Sequence, residues 1–249
     1  MNPEQVNKVK YLYPLLIGIL LAIISIASPW FNLTISNHEF VKSYYTFFGS
    51  GFLLIVLIYL NLQRSLNIRL NLIKVSLTLL MILGLLSTLW TVNSDLTINK
   101  SLLWVVALFG FLLATNLSLD RRSLISFSWG LILSAGIISI IGNLQFLFDP
   151  FTLTQASSPA STFGNKNIAI QPLILMFPVL FFLYISKDVQ NIQVWLLSLF
   201  SPLIFTYIFY TSSRAAIISA LFQLLMILFY FIFHKIKKSN WIDWNKNKR

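Results

Sequence analysis

Eight apolar stretches follow one another along the chain, near residues 11–28, 45–60, 72–92, 102–117, 124–146, 168–185, 192–210 and 215–233, with short polar intervals between them. A helix needs about 20 predominantly apolar residues to cross a bilayer, because it rises about 1.5 Å per residue through a hydrocarbon layer of about 30 Å. Inside that layer every backbone polar group must be paired within the protein, which leaves helices or a closed barrel as spanning structures. Continuous apolar runs favour helices, since barrel strands alternate apolar and polar residues. Charged residues make up only 10% of the 249, against about 25% in an ordinary soluble domain, and mean hydropathy is +0.79. Too few charges remain to form a water-facing shell. The sequence therefore predicts an all-α, polytopic transmembrane bundle of about eight helices over residues 1–234, followed by a basic tail over 235–249.

The formal charge of +11 would suit nucleic acid if it formed one patch, but it falls in clusters between the apolar runs. Alternate sides of the eight runs hold fourteen and four of the eighteen lysines and arginines; the poorer side has Lys42, Lys100, Lys166 and Arg214. Basic residues concentrate on the cytoplasmic side of membrane proteins, so both chain ends and the Arg64/Arg69 and Arg121/Arg122 intervals are expected inside. The charge is a topology signal, and no nucleic-acid partner is expected. The first run, preceded by Lys8 and Lys10, resembles a signal peptide taken alone but reads as an uncleaved span beside seven more. In the tail, lysines alternate with Trp241, Ile242 and Trp244, a composition suited to the headgroup zone of the bilayer. The absence of cysteine rules out disulfides and thiolate metal sites. His38 and His234 are far apart, so no metal site and no cofactor are expected.

The longest polar interval lies between residues 146 and 167, on the outer side, and includes Asp149 and the string STFGNKN. Gly164 permits an unusual backbone turn there, and Asn165 or Asn167 can cap the following helix. Free helix-start amides beside Lys166 make a corner that suits an anion; an ordinary cap with a basic interfacial anchor is the plainer reading. The next run contains Pro172 and Pro178, which predict a kink or break. A second polar turn, Thr211-Ser212-Ser213-Arg214-Ala215-Ala216, opens the last run on the same side. Ser212 or Ser213 can cap that helix, which leaves Arg214 in its first turn, where the helix dipole opposes a cation. A bound anion gripped by the guanidinium resolves the conflict, and so does an arginine that snorkels to the interface. The anion these groups suit is a phosphate or diphosphate, at this surface one carried by a lipid.

STFGNKN opening one span, a proline-bearing span after it, and YTSSRAA opening a span two further on resemble the O-antigen ligase and O-antigen polymerase superfamily of bacterial inner membranes. The likeness covers residues 157–233, with weaker support from Leu89-Trp90 and the polar Asn93-Ser94-Asp95 loop. It implies an enzyme that transfers a glycan from undecaprenyl diphosphate to an acceptor hydroxyl, without metal or nucleotide sugar. It implies that Arg214 binds the lipid diphosphate and that Lys166, Asn165 and Asn167 shape or support the site; from the residues themselves, Lys166 is expected as a second cation for the diphosphate, with Gly164 and Ser213 in supporting roles. The family's outer loop with a second arginine and an acceptor-activating histidine has no counterpart in these residues. Neither His38 nor His234 matches that histidine, so no catalytic residue is assigned and the chain is expected to be inactive alone, as the front part of such an enzyme.

Two readings from other classes compete. A transporter or lipid-handling subunit would use a broken sixth span to line a substrate path, although the central positions hold amides such as Gln171 and Gln223 and no inverted repeat appears. A non-catalytic membrane subunit, or a fragment without activity of its own, is the third. The sugar, the acceptor, protein partners and oligomeric state leave no trace in the sequence.

Overall fold

The computed structural model describes residues 3–28, 38–62, 72–115, 121–150, 153, 155–186 and 189–236. The Arg64/Arg69 interval and tail residues 237–249, Trp241 and Trp244 among them, lie outside the described residues. What is described is all-helical, apart from a short 3-10 segment, Ser87–Leu89, and one isolated bridge. The helices are α1 (Pro3–Ile26), α2 (His38–Leu62), α3 (Leu72–Leu86), α4 (Ser94–Thr115), α5 (Arg121–Leu147), α6 (Lys166–Ile185), α7 (Asn191–Tyr210) and α8 (Arg214–Ile236).

Among the described residues six segments are long and apolar enough to cross a bilayer: Val41–Tyr59, Leu72–Leu89, Ser123–Leu147, Lys166–Ile185, Asn191–Tyr210 and Arg214–Ile232. Helices α1 and α4 carry shorter apolar stretches, Tyr13–Ile26 and Leu103–Thr115, because their first turns are polar. Residues Ser94 and Asp95, expected in a loop, belong to the first turn of α4. Helix α3 ends at Leu86, where the hydroxyls of Ser87 and Thr88 donate to the carbonyls of Gly84 and Leu85 at 2.6 and 2.8 Å. Such local bonds compete with the helical ladder. Of the kink or break expected at Pro172 and Pro178, the break is absent, since helix α6 runs on through both. Prolines are tolerated in membrane helices when neighbouring helices re-satisfy the freed groups, and α6 packs against both α7 and α8.

The chain forms two compact units, one of Met1–Ile24 with Glu39–Phe127, the other of Ser25–His38 with Ser128–Arg249. In the first, Tyr13, Ile17, Leu53, Leu57 and Leu113 form a buried cluster, and the Tyr13 hydroxyl donates to the Leu113 carbonyl at 3.2 Å. Helices α3 and α4 pack together as a hairpin. In the second unit, glycines on α5 make room for aromatic rings of α7. Gly136 lies against the Phe200 ring and Gly142 against Tyr207, and the Asn143 side-chain amide donates to the Leu203 carbonyl at 2.9 Å. The outer face of α8 presents Phe222, Leu225 and Phe229, each more than half exposed. Apolar exposure on that scale suits contact with lipid.

Candidate functional site

In the second unit a polar loop joins α5 to α6, and its residues Ala160, Ser161 and Thr162 are completely buried. Burial of so many polar groups requires partners. Ser161 exchanges two bonds with the Gln145 side chain, its N–H donating to Oε1 at 2.5 Å and its carbonyl accepting from Nε2 at 2.9 Å. The Ser161 hydroxyl donates to the Ile138 carbonyl at 2.8 Å. Thr162 Oγ1 donates to the Ser25 carbonyl at 2.6 Å, and the Tyr207 hydroxyl to the Pro159 carbonyl at 3.0 Å. The loop is thus tied to the end of α1, to α5 and to α7.

His38, the first residue of α2, completes this anchorage. It is buried, and its Nδ1 lies 3.2 Å from the Thr162 carbonyl oxygen and 3.0 Å from Ser28 Oγ. A carbonyl oxygen can only accept, so the contact is a bond when Nδ1 carries the proton. Gly164 sits beside the imidazole with φ +72°, and a Cβ there would come within 2.5 Å of His38 Cδ2. Only glycine meets both demands without strain. The sequence alone assigns His38 no role. It assigns none to Ser25 or Gln145 either, and the one local hint was an amide, Gln145, near the end of an apolar run.

Helix α6 opens directly from this loop. Asn165 is its N-cap: Oδ1 accepts the Asn167 N–H at 2.9 Å and the Ser157 hydroxyl at 3.1 Å. The Lys166 N–H reaches the Ser157 carbonyl at 3.3 Å and its hydroxyl at 3.2 Å, and the Ile168 N–H reaches the Asn165 carbonyl at 3.1 Å. The first three amides of α6 are therefore occupied. Of the two readings the sequence allows here, the structure has the ordinary Asn165 cap, and at this helix start only the half-buried Lys166 side chain and the dipole remain for an anion.

Helix α8 opens differently. Thr211 closes α7, its N–H donating to the Tyr207 carbonyl at 3.0 Å and its hydroxyl to the Ile208 carbonyl at 2.7 Å. Ser212 then adopts φ +51°, uncommon for a residue with a side chain. Ser213 precedes the helix, and its carbonyl accepts the Ile217 N–H at 3.1 Å. Among the described residues no acceptor meets the N–H groups of Arg214, Ala215 or Ala216, and the exposed Arg214 side chain has no ion-pair partner.

Both helix starts lie at the same end of the second unit. Phe146, at the end of α5, stacks on Tyr210, at the end of α7, with ring centroids 3.9 Å apart. Tyr207 bonds the loop that leads into α6, and α8 follows α7 after the short Thr211–Ser213 turn. Deeper in, Gln223 Nε2 donates to the Ile174 carbonyl at 3.1 Å, about two turns into each helix. The structure thus brings Gly164, Asn165, Lys166 and Asn167 together around one loop, and puts Ser213 and Arg214 on a separate turn at the same end.

Helices of this length and apolarity, with a buried polar loop and two basic helix starts at one end of a unit, define the chain as a helical membrane protein. Comparison with protein-family models, with curated proteins and with solved structures finds no match.

Proposed function

We propose that the chain is an O-antigen ligase-like membrane glycosyltransferase component that binds an undecaprenyl-diphosphate-linked glycan at the outer face of a bacterial inner membrane, in lipopolysaccharide or similar polysaccharide synthesis. In this reading all eight helices cross the membrane, both chain ends are cytoplasmic, and the α5–α6 loop and the α8 start face outward. The likeness of STFGNKN and YTSSRAA to the family's motifs supports the assignment.

The observation that carries the reading is the start of α8, where the unaccepted N–H groups of the exposed residues Arg214 and Ala215 and an exposed guanidinium share one helix turn. A diphosphate supplies oxygens to both, through charge-assisted bonds to Arg214 and backbone bonds at the positive end of the dipole. Lys166 adds a second positive charge at the same end of the unit.

The test is a titration of the full chain in nanodiscs with undecaprenyl diphosphate and with undecaprenol, which share the lipid and differ in the anion. Saturable binding of the diphosphate alone is the expected result. Equal binding of both lipids would refute the diphosphate site. Reporter fusions at Ser157 and after Arg249 test the topology, and the expected readings are outside and inside respectively.

A further inference from the structure

In the first unit the α3–α4 hairpin encloses a groove of about 610 Å3, within the range of roughly 300–1,000 Å3 common to small-ligand sites. Leu80 and Leu83 of α3 form an apolar wall, and they fall inside the span-length segment Leu72–Leu89. Lys100 of α4 lies one turn before the apolar stretch Leu103–Thr115, and Trp90 lies just beyond the end of the α3 stretch. By composition, one part of the groove suits acyl depth and the other headgroup depth. Trp90 and Trp104 line it with more than half of each side chain exposed, as indoles do at a membrane interface. Over Gly84 the groove is open to the backbone, since a Cβ there would meet nothing within 4 Å.

The donors available are selective. Hydroxyls of Ser87 and Thr97 already donate to the carbonyls of Gly84 and Asn93, at 2.6 and 2.9 Å. The Lys100 ammonium and the two indole N–H groups only donate, and among the described residues no carboxylate lines the groove. We propose that the groove binds an anionic phospholipid of the bilayer, with its phosphate at Lys100 and the indole N–H groups and an acyl chain along Leu80 and Leu83 over Gly84. One cation gives little hold on a phosphate free in water, and the apolar wall contributes only to a ligand that carries a chain. A bilayer lipid meets both conditions.

The full chain is reconstituted in nanodiscs of phosphatidylcholine with a minority of phosphatidylglycerol, and the lipids retained after detergent extraction are counted by native mass spectrometry. Wild type is expected to retain phosphatidylglycerol about fivefold over its share, the preference one lysine near an anionic surface provides. Lys100→Gln should reduce retention to the bulk ratio. Gly84→Leu, which fills open space, should expel the lipid while the protein melts normally, and millimolar inorganic phosphate should not compete. Unchanged enrichment in Lys100→Gln would overturn the proposal. So would displacement by inorganic phosphate, which would indicate a free-anion site. If Gly84→Leu does not fold, Lys100→Gln decides alone, because its side chain is exposed.

Discussion

Helices α6 and α8 begin at the same end of the second unit, each with a basic residue in first position, yet their first turns are built in opposite ways. At α6 the amides of Lys166, Asn167 and Ile168 all have acceptors, and residues 159–162 just before them are buried and held by Ser25, His38, Gln145 and Tyr207. At α8 the amides of Arg214, Ala215 and Ala216 have none among the described residues, and Arg214 is exposed. The contrast separates two tasks that look alike in sequence. The α6 start fixes the shape of this end of the unit, and the α8 start leaves donor groups without acceptors among the described residues, which the proposed function assigns to a ligand. Substitutions at α6 should therefore act on stability, and substitutions at α8 on binding.

The largest stability effect is expected at Gly164. An alanine there meets a left-handed backbone, about 1–2 kcal/mol, and the His38 ring, about 1–3 kcal/mol of overpacking, so Gly164→Ala should lose about 2–5 kcal/mol in detergent unfolding. A loss below 1 kcal/mol would mean that the loop is not locked. His38→Ala sharpens the point: in that background Gly164→Ala should lose only its backbone part, so the double-mutant cycle should give a coupling of about 1–3 kcal/mol. Additive effects would show that the ring and Gly164 do not constrain each other.

Next in size is the cap. Asn165→Ala should lower stability by about 0.5–2 kcal/mol, the usual range for an N-cap asparagine, with lipid-diphosphate affinity nearly unchanged. A large loss of affinity at normal stability would return the α6 amides to the binding site. The smallest effect is expected at Ser212, exposed and at φ +51°. Ser212→Gly should raise stability by up to about 1 kcal/mol, as strain at the turn is relieved. Destabilisation there would mean that the serine hydroxyl supports the α8 start.

The helix positions are legible in the sequence because apolar runs alternate with basic intervals over nearly the whole chain. Their polar first turns are not, since hydropathy does not register them: α4 begins at Ser94, well before the run that reveals it. The Asn165 cap follows from residue type and position alone. Anchors such as Thr162 to Ser25 and His38 to Thr162 join residues more than 120 apart, and no local pattern encodes a bond of that kind. Saturation of the α6 amides depended on Ser157 folding back beside Asn165, a loop geometry that the string STFGNKN does not specify. Pro172 and Pro178 predict a kink or a break, and packing against α7 and α8 accompanies a helix without the break.

The division between a structural α6 start and a ligand-facing α8 start is tested most directly by undecaprenyl diphosphate affinity, measured in nanodiscs for wild type, Arg214→Ala, Arg214→Lys and Asn165→Ala, each beside its melting temperature. Charge-assisted bonds contribute about 1.5–3 kcal/mol each, so Arg214→Ala should bind about tenfold to a hundredfold more weakly with little change in melting. Arg214→Lys should recover only part of the loss, because an ammonium cannot reproduce the planar two-point grip. Asn165→Ala should melt lower and bind as wild type does. Wild-type affinity in Arg214→Ala, or the main binding loss in Asn165→Ala, would contradict the account.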